Sequence, residues 1–210
     1  VTDKELSWKY AEEFPVEPPA TQLARQHSLE LGIDPVSPAV GAQLAVLAAA
    51  SGARSILEIG TGAGVSGLWL LHGAPKATLT SIDVEIDHQN RARQAYLDAG
   101  IAASRARLIA GRAVDVLPRM NDSAYDLVLV DADPGSVLDY VEHALRIVRP
   151  GGIVAVAHAL WRGRVADPAQ RDDTVADFRA LLATIAESSA VVAALSTLGD
   201  GLLQIVKTAD

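Results

Sequence analysis

The 210-residue chain contains no cysteine, which excludes disulfides, thiolate nucleophiles and cysteine-ligated metals together. Such a composition suits a reducing compartment, and a cytoplasmic location is the expectation. Aromatic residues make up only 4% of the chain and there is a single Met. The core must therefore be built from Ala, Val, Leu and Ile, which favours helices packed closely on a sheet. No apolar run approaches the roughly 20 residues needed to cross a bilayer, so no membrane partner is expected. The longest run, AVGAQLAVLAAA, reads as a buried helix. The opening stretch VTDKELSWKYAEEF is charged and has no apolar block of the signal-peptide kind. Basic excess is missing too. A net charge of −8 argues against a nucleic-acid partner. Two local clusters, Arg105–Arg107–Arg112 and Arg162–Arg164, read as solvated surface or as contacts with an anionic substrate or a partner subunit.

What is present is an alternation of apolar strands and amphipathic helices. SILEIG, TLTSIDV, ARLIAG, YDLVLVDAD and GGIVAVAHAL read as strands. Helices are expected after Gly64 and over 87–99, 114–120, 136–148 and 171–187. Near-continuous apolar strands of this kind are buried on both faces of a parallel sheet. The last two strands, VVAALST and GLLQIVKT, are joined by LGD, too short for a crossover helix, so they pair as an antiparallel hairpin. The expected fold is α/β: a doubly wound, Rossmann-like sheet, mostly parallel, with one antiparallel strand in the C-terminal hairpin. Residues 1–210 are expected to form one domain. Within it, residues 1–35 make an arm or cover with a helix over 20–31 between the proline-marked breaks FPVEPPA and GIDPVSP.

The stretch ILEIGTGAGVSGLWLL carries an apolar strand into a cluster of glycines and then a helix. Gly62, Gly64 and Gly67 spell the dinucleotide pattern G-x-G-x-x-G, while Gly60, Gly62 and Gly64 spell G-x-G-x-G. Either lets backbone approach a nucleotide-like ligand closely. Three features favour S-adenosylmethionine over a nicotinamide dinucleotide. The strand already ends at Gly60, one turn too early for the dinucleotide register. Glu58, just before the turn, would repel a pyrophosphate and attract a sulfonium with its ammonium group. Asp83 ends the second strand, where its carboxylate can accept both ribose hydroxyls of either ligand, so it marks an adenosine site and Glu58 picks the ligand.

Taken with PVSPAVG, TSIDV, YDLVLVDAD, ALRIVRPGGIV, LWRGRVADP and LGDGLL, the turn LEIGTGAGVSGLWL makes the chain resemble the catechol and caffeoyl-CoA type O-methyltransferases of class I. The resemblance implies S-adenosylmethionine as cofactor, a small hydroxylated acceptor, and a homodimer with the N-terminal arm involved. It implies cofactor roles for named positions. Val36 covers the methionine end and Glu58 binds the amino-acid part. Gly60 and Thr61 form the turn, and the Ser66 hydroxyl bonds the cofactor carboxylate. Asp83 holds the ribose, Val84 packs on the adenine, and Gly111 to Ala113 edge it.

At the reacting centre the chain departs from that family. There, a divalent metal held by an Asp on the fourth strand and an Asp-Asn pair on the fifth grips both acceptor oxygens, and a Lys helps deprotonate the hydroxyl. Asp131 keeps the first ligand, but Ala157 and His158 replace the pair and Pro134 replaces the Lys. A divalent metal is therefore in doubt, with Asp131 and His158 the only candidate ligands; His also suits softer ions than Mg²⁺. The expectation is that His158 acts as general base, with Asp131 fixing its tautomer. A residual ligand role and a hydrogen-bonding filler remain open for it. Trp161 is expected to wall the acceptor pocket. The rival functions are a cofactor-binding module that has lost catalysis and a nicotinamide-dependent oxidoreductase using the Gly62–Gly64–Gly67 register.

Overall fold

A computed structural model describes residues 2–208. Helices α1 (Asp3–Glu13), α2 (Pro19–Glu30) and α3 (Pro38–Ala50) precede the alternating part of the chain. There follow β1 (Ser55–Ile59), α4 (Val65–Gly73), β2 (Thr78–Asp83), α5 (Ile86–Asp98), β3 (Ala106–Ala110) and α6 (Ala113–Val116). Then come β4 (Tyr125–Val130), α7 (Val137–Ile147), β5 (Val148–Val156), α8 (Asp173–Glu187), β6 (Val191–Ser196) and β7 (Leu202–Lys207). Among the described residues the strands form one sheet in the order β3-β2-β1-β4-β5-β7-β6. β7 alone runs antiparallel to its neighbours β5 and β6; the other pairs are parallel. This is the doubly wound sheet with one reversed strand that the alternation predicts. The strand order reverses between β1 and β4, and such a switch point leaves a crevice outside the strands' C-terminal ends.

The period of two along each strand divides the core into two layers. Ile56, Leu79, Leu127 and Leu129 face the layer under α2 to α5, which includes Leu44, Trp69 and Leu70. Leu57, Ile59, Val128 and Val130 face the layer under α6 to α8, with Val141, Ile147 and Phe178. One inward position on β1 is polar: Glu58 lies between Ile56 and the glycine turn and is fully buried.

The N-terminal residues cover the domain, and more of them are helical than the sequence reading allows. α1 was not expected. It starts on a capping box, in which Thr2 accepts from the Glu5 N–H and the Glu5 carboxylate accepts from the Thr2 N–H. α1 has no buried residues and is tied down chiefly by polar contacts, among them Trp8 Nε1 donating to the Thr197 carbonyl at 3.0 Å. α2 packs against α4 and α5, and the segment after it runs over the crevice.

Candidate functional site

The crevice at the β1/β4 switch point is a cavity of about 200 Å³. Its floor is the turn after β1. Gly60 adopts φ +100° and sits so close to β4 that a Cβ there would lie 1.8 Å from the Asp131 carbonyl oxygen. Asp83, at the end of β2, organises this turn. Its Oδ2 accepts from the backbone N–H of Thr61 (3.0 Å) and Gly62 (2.9 Å), and its Oδ1 accepts from Glu85 N–H at 2.9 Å. A carboxylate so placed both shapes the turn and faces the cavity. Gly67 has a different job. A Cβ there would meet Tyr96 Oη at 2.2 Å, so this glycine serves helix packing and not a ligand.

Val36, Gly60, Thr61, Ser66, Asp83, Val84, Gly111, Ala113 and Asp131 all line this cavity, as the sequence reading expects. Ile33, Asp34 and Pro35 form its outer wall, which gives the N-terminal segment the covering role. His88 lines the cavity too, with Nδ1 3.8 Å from Asp83 Oδ1. Tyr140 from α7 and Asp133 complete the wall.

Glu58 departs from expectation. It does not line the cavity but lies beneath it, behind Ser66. Ser66 Oγ donates to Glu58 Oε1 at 2.6 Å and Ser81 Oγ donates to Oε2 at 2.5 Å, with Thr61 Oγ1 2.7 Å from Ser81 Oγ. Burial outweighs those hydrogen bonds and, with the charges of Asp131 and Asp83 nearby, pushes the Glu58 carboxyl up to about 8. A carboxyl raised this far repels a pyrophosphate less, which weakens the electrostatic choice between ligands attributed to Glu58. Ser66 stands between Glu58 and the cavity. Once protonated, Glu58 can donate to Ser66, which frees the Ser66 proton for an anionic ligand group.

This burial has a measurable consequence. Between pH 4.5 and about 8 the folded chain holds the Glu58 proton and the unfolded chain does not, so stability falls as pH rises through that window. Glu58→Gln cannot ionise and is expected to melt higher than the parent at pH 8, by about 2–8 °C if about 1–2 kcal/mol is recovered. At pH 5 the two should nearly coincide. Parallel melting curves across the range, with no widening gap, would contradict this.

Beyond Asp131 a narrow cleft of about 20 Å³ continues between β4, β5 and α8, lined by Pro134, Ala157, His158, Trp161 and Phe178. Trp161 stacks on Phe178 with ring centroids 5.8 Å apart. His158, Trp161 and Arg162 all adopt positive φ, 56°, 45° and 55°. Such left-handed backbone is unfavourable for non-glycine residues and tends to gather at working sites. Arg162 Nη2 pairs with Asp34 Oδ2 at 2.8 Å, linking this loop to the covering segment. Arg164 is occupied by Asp172 and Gln170, and Arg105 by the carbonyls of Ala77 and Ala74. Those two arginines are structural.

His158 is held from both sides. Nδ1 lies 2.6 Å from Asp200 Oδ1 and Nε2 lies 3.3 Å from Asp131 Oδ1. Although burial opposes charge on the ring, the two carboxylates win and raise His158 to about 10. Two flanking carboxylates favour the imidazolium with both nitrogens donating, which disfavours the general-base role expected of His158. Asp200, held below the usual carboxylate range by His158, was missed from sequence. The LGDGLL motif that contains it was the available signal.

The same geometry bears on a metal. His158 Nδ1 is committed to Asp200, so the ring offers a cation one nitrogen at most, beside the carboxylate of Asp131. Ala157 offers no donor. Among the described residues no group of three or more His, Asp or Glu side chains is placed to hold a metal ion. Asp131 and His158, the two candidates, therefore do not fit a divalent cation, and no step is derived through one.

Comparison with known proteins places this geometry. A family model described as O-methyltransferase matches residues 21–208. A Mycobacterium marinum protein named as an O-methyltransferase is 47% identical over 204 residues, spanning 97% of this chain and 91% of the relative. The crystal structure of the O-methyltransferase TomG from Streptomyces achromogenes, involved in tomaymycin synthesis and solved with SAM, superposes with a TM-score of 0.86 at 30% identity and covers 100% of both chains. An O-methyltransferase from Bacillus cereus solved with SAH gives a TM-score of 0.83 at 26% identity over 97% of each chain.

Proposed function

The chain belongs to the O-methyltransferase family, and from that premise we propose that it transfers a methyl group from S-adenosylmethionine to the hydroxyl of a small aromatic acceptor. The observation that carries the reading is the single cavity at the switch point. It joins the Gly60–Gly62 turn, the Asp83 carboxylate and Asp131 around one space that opens onto the Trp161 cleft.

Asp83 accepts the ribose hydroxyls while keeping its bonds to the turn, since each carboxylate oxygen has a second lone pair. Val84, Gly111 and Ala113 border the adenine. The methionine end lies between Val36 and the turn, with its carboxylate toward Ser66. Glu58, protonated and lying beneath Ser66, donates to the Ser66 oxygen and leaves the Ser66 hydroxyl proton for that carboxylate. The methyl group points toward Asp131. An acceptor ring enters beside Pro134, Trp161 and Phe178. The cleft is too narrow for a ring as it stands, so the Trp161–Arg162 segment and its Asp34 pair must shift to admit one. Two further inferences complete the reading. The absence of cysteine supports a cytoplasmic setting, and no helix among the described residues is long and apolar enough to cross a membrane. The exposed Tyr10, Phe14 and Val16 support a homodimer through the N-terminal arm.

The rival reading is a nicotinamide dinucleotide held in the Gly62–Gly64–Gly67 register. Calorimetric titration separates the readings. S-adenosylhomocysteine is expected to bind and NAD to give no heat, and labelled S-adenosylmethionine is expected to mark at least one member of a phenol panel. NAD binding without S-adenosylhomocysteine binding would overturn the reading. Cofactor binding with no acceptor methylated would favour a module that has lost catalysis.

A further inference from the structure

Asp200 lies in the turn between β6 and β7 and grips the segment that carries His158 at several points. One carboxylate oxygen takes His158 Nδ1 at 2.6 Å and the other accepts the Arg162 N–H at 3.1 Å. Its carbonyl accepts the Leu160 N–H, and the next carbonyl, of Gly201, accepts the Ala159 N–H. The hairpin turn thereby fixes both the ring and the left-handed backbone beneath it. On the far side of the ring the hold is looser, 3.3 Å from Nε2 to Asp131. Nδ1 is committed and Nε2 is the edge open to a third partner. Asp131 lines both the main cavity and the cleft, so a group bonded to Nε2 lies where the two meet.

We propose that Asp200 is a positioning residue that presents the His158 Nε2–H to the acceptor oxygen, and that this single donor takes the place of a chelating cation, so that singly hydroxylated aromatics are methylated without metal. The proposal rests on the methyl-transfer reading above. In the reaction the acceptor gives its hydroxyl proton to bulk water and binds as the oxyanion, which accepts the Nε2–H bond. An oxygen lone pair then forms the O–CH₃ bond as the S–CH₃ bond breaks. The breaking pair stays on sulfur, leaving neutral S-adenosylhomocysteine. Charge balances as sulfonium plus phenolate gives thioether plus ether. A fixed donor beside the acceptor oxygen favours loss of its hydroxyl proton at neutral pH and holds the resulting oxyanion in line with the methyl group. The Nε2–H, shared with Asp131, reaches a single acceptor oxygen, so a vicinal diol gains nothing over a lone hydroxyl.

The test uses the whole chain with labelled S-adenosylmethionine and a panel of monohydroxylated phenols and catechols. Wild-type rates are expected to stay within about twofold in EDTA, and Mn²⁺ titrated into the protein is expected to show no protein-bound resonance signal. Asp200→Asn is expected to lower kcat about a hundredfold. Its KM and its affinity for S-adenosylhomocysteine should hold within about threefold, and Asp200→Glu should recover part of the rate. Three results would each overturn the proposal: activity lost in EDTA and restored by a divalent ion, turnover of catechols alone, or Asp200→Asn at wild-type kcat. Binding of S-adenosylhomocysteine with no phenol methylated under any condition would overturn it too, while leaving the cofactor site standing. A wild-type chain that binds no S-adenosylhomocysteine would instead fail the methyltransferase reading itself.

Discussion

Gly60→Val is expected to abolish measurable S-adenosylhomocysteine binding and to lower the melting temperature by about 10 °C or more. Gly60 ends β1 at φ +100°, a conformation that costs a side-chain-bearing residue of order 1–3 kcal/mol. A Cβ at this position would also fall 1.8 Å from the Asp131 carbonyl oxygen. The two strand ends have no freedom to part. The Gly60 N–H donates to the Ile82 carbonyl at 2.9 Å and the Asp131 N–H donates to the Ile59 carbonyl at 2.8 Å. Overpacking of this kind costs about 1–3 kcal/mol where relief is available. Together the two effects take about 2–6 kcal/mol from a typical total of 5–15; at about 2–4 °C per kcal/mol the upper half of that range, where the strand ends cannot part, gives the expected shift. Any relief moves Asp131 away from the cavity, so binding and acceptor placement suffer together. Gly67→Ala separates the cases. Its Cβ would collide with Tyr96 Oη, which destabilises the packing of α4 on α5 without touching the ligand surface. A Gly60→Val protein that melted normally and still bound the ligand would refute the close approach of β1 to β4.

Sequence alone carried the parts of the site that depend on neighbours along the chain. The strand, the glycine turn and Asp83 lie within one βαβ unit, and local pattern suffices to read them. Position 158 as a departure was likewise visible from its place after the fifth strand. What His158 does was not. Its partner Asp200 is 42 residues away and arrives only because β7 inserts antiparallel beside β5, pairing Val156 with Leu203. Two carboxylates on one ring favour a cation where a base was expected, and neither the pairing nor the left-handed backbone at 158 has a local signature. Glu58 shows the same limit. Its identity was legible, but its protonation depends on burial beneath α4 and on two serines, one of them from β2. α1 went unread for a different reason: with no buried face it has no apolar period to detect, and its mark is the Thr2–Glu5 capping box.

Asp83→Ala is expected to weaken S-adenosylhomocysteine binding more than a hundredfold, and Asp83→Asn to weaken it less. The alanine variant loses two things at once. The ribose diol loses a charged acceptor, and hydrogen bonds to charged groups contribute about 1.5–3 kcal/mol each. At 1.4 kcal/mol per tenfold, a pair of such bonds accounts for a hundredfold or more. The turn loses its organiser as well, since the Thr61 and Gly62 N–H groups that donate to Oδ2 are left without a partner. An unpaired, partly buried N–H costs about 1–3 kcal/mol, so Asp83→Ala should also melt several degrees lower. Asparagine keeps one carbonyl oxygen, enough to hold the two turn N–H groups at near-normal stability. Its amide group, a donor, meets ribose hydroxyls that no longer find a carboxylate. Melting temperature and affinity should therefore separate in Asp83→Asn, with the first near wild type and the second reduced, and fall together in Asp83→Ala. Calorimetric titration beside thermal melting reads both. If the alanine variant bound S-adenosylhomocysteine as tightly as the parent, the ligand's ribose would have to lie elsewhere in the cavity, beside other polar groups on its wall such as His88, Asp133 or Asp34.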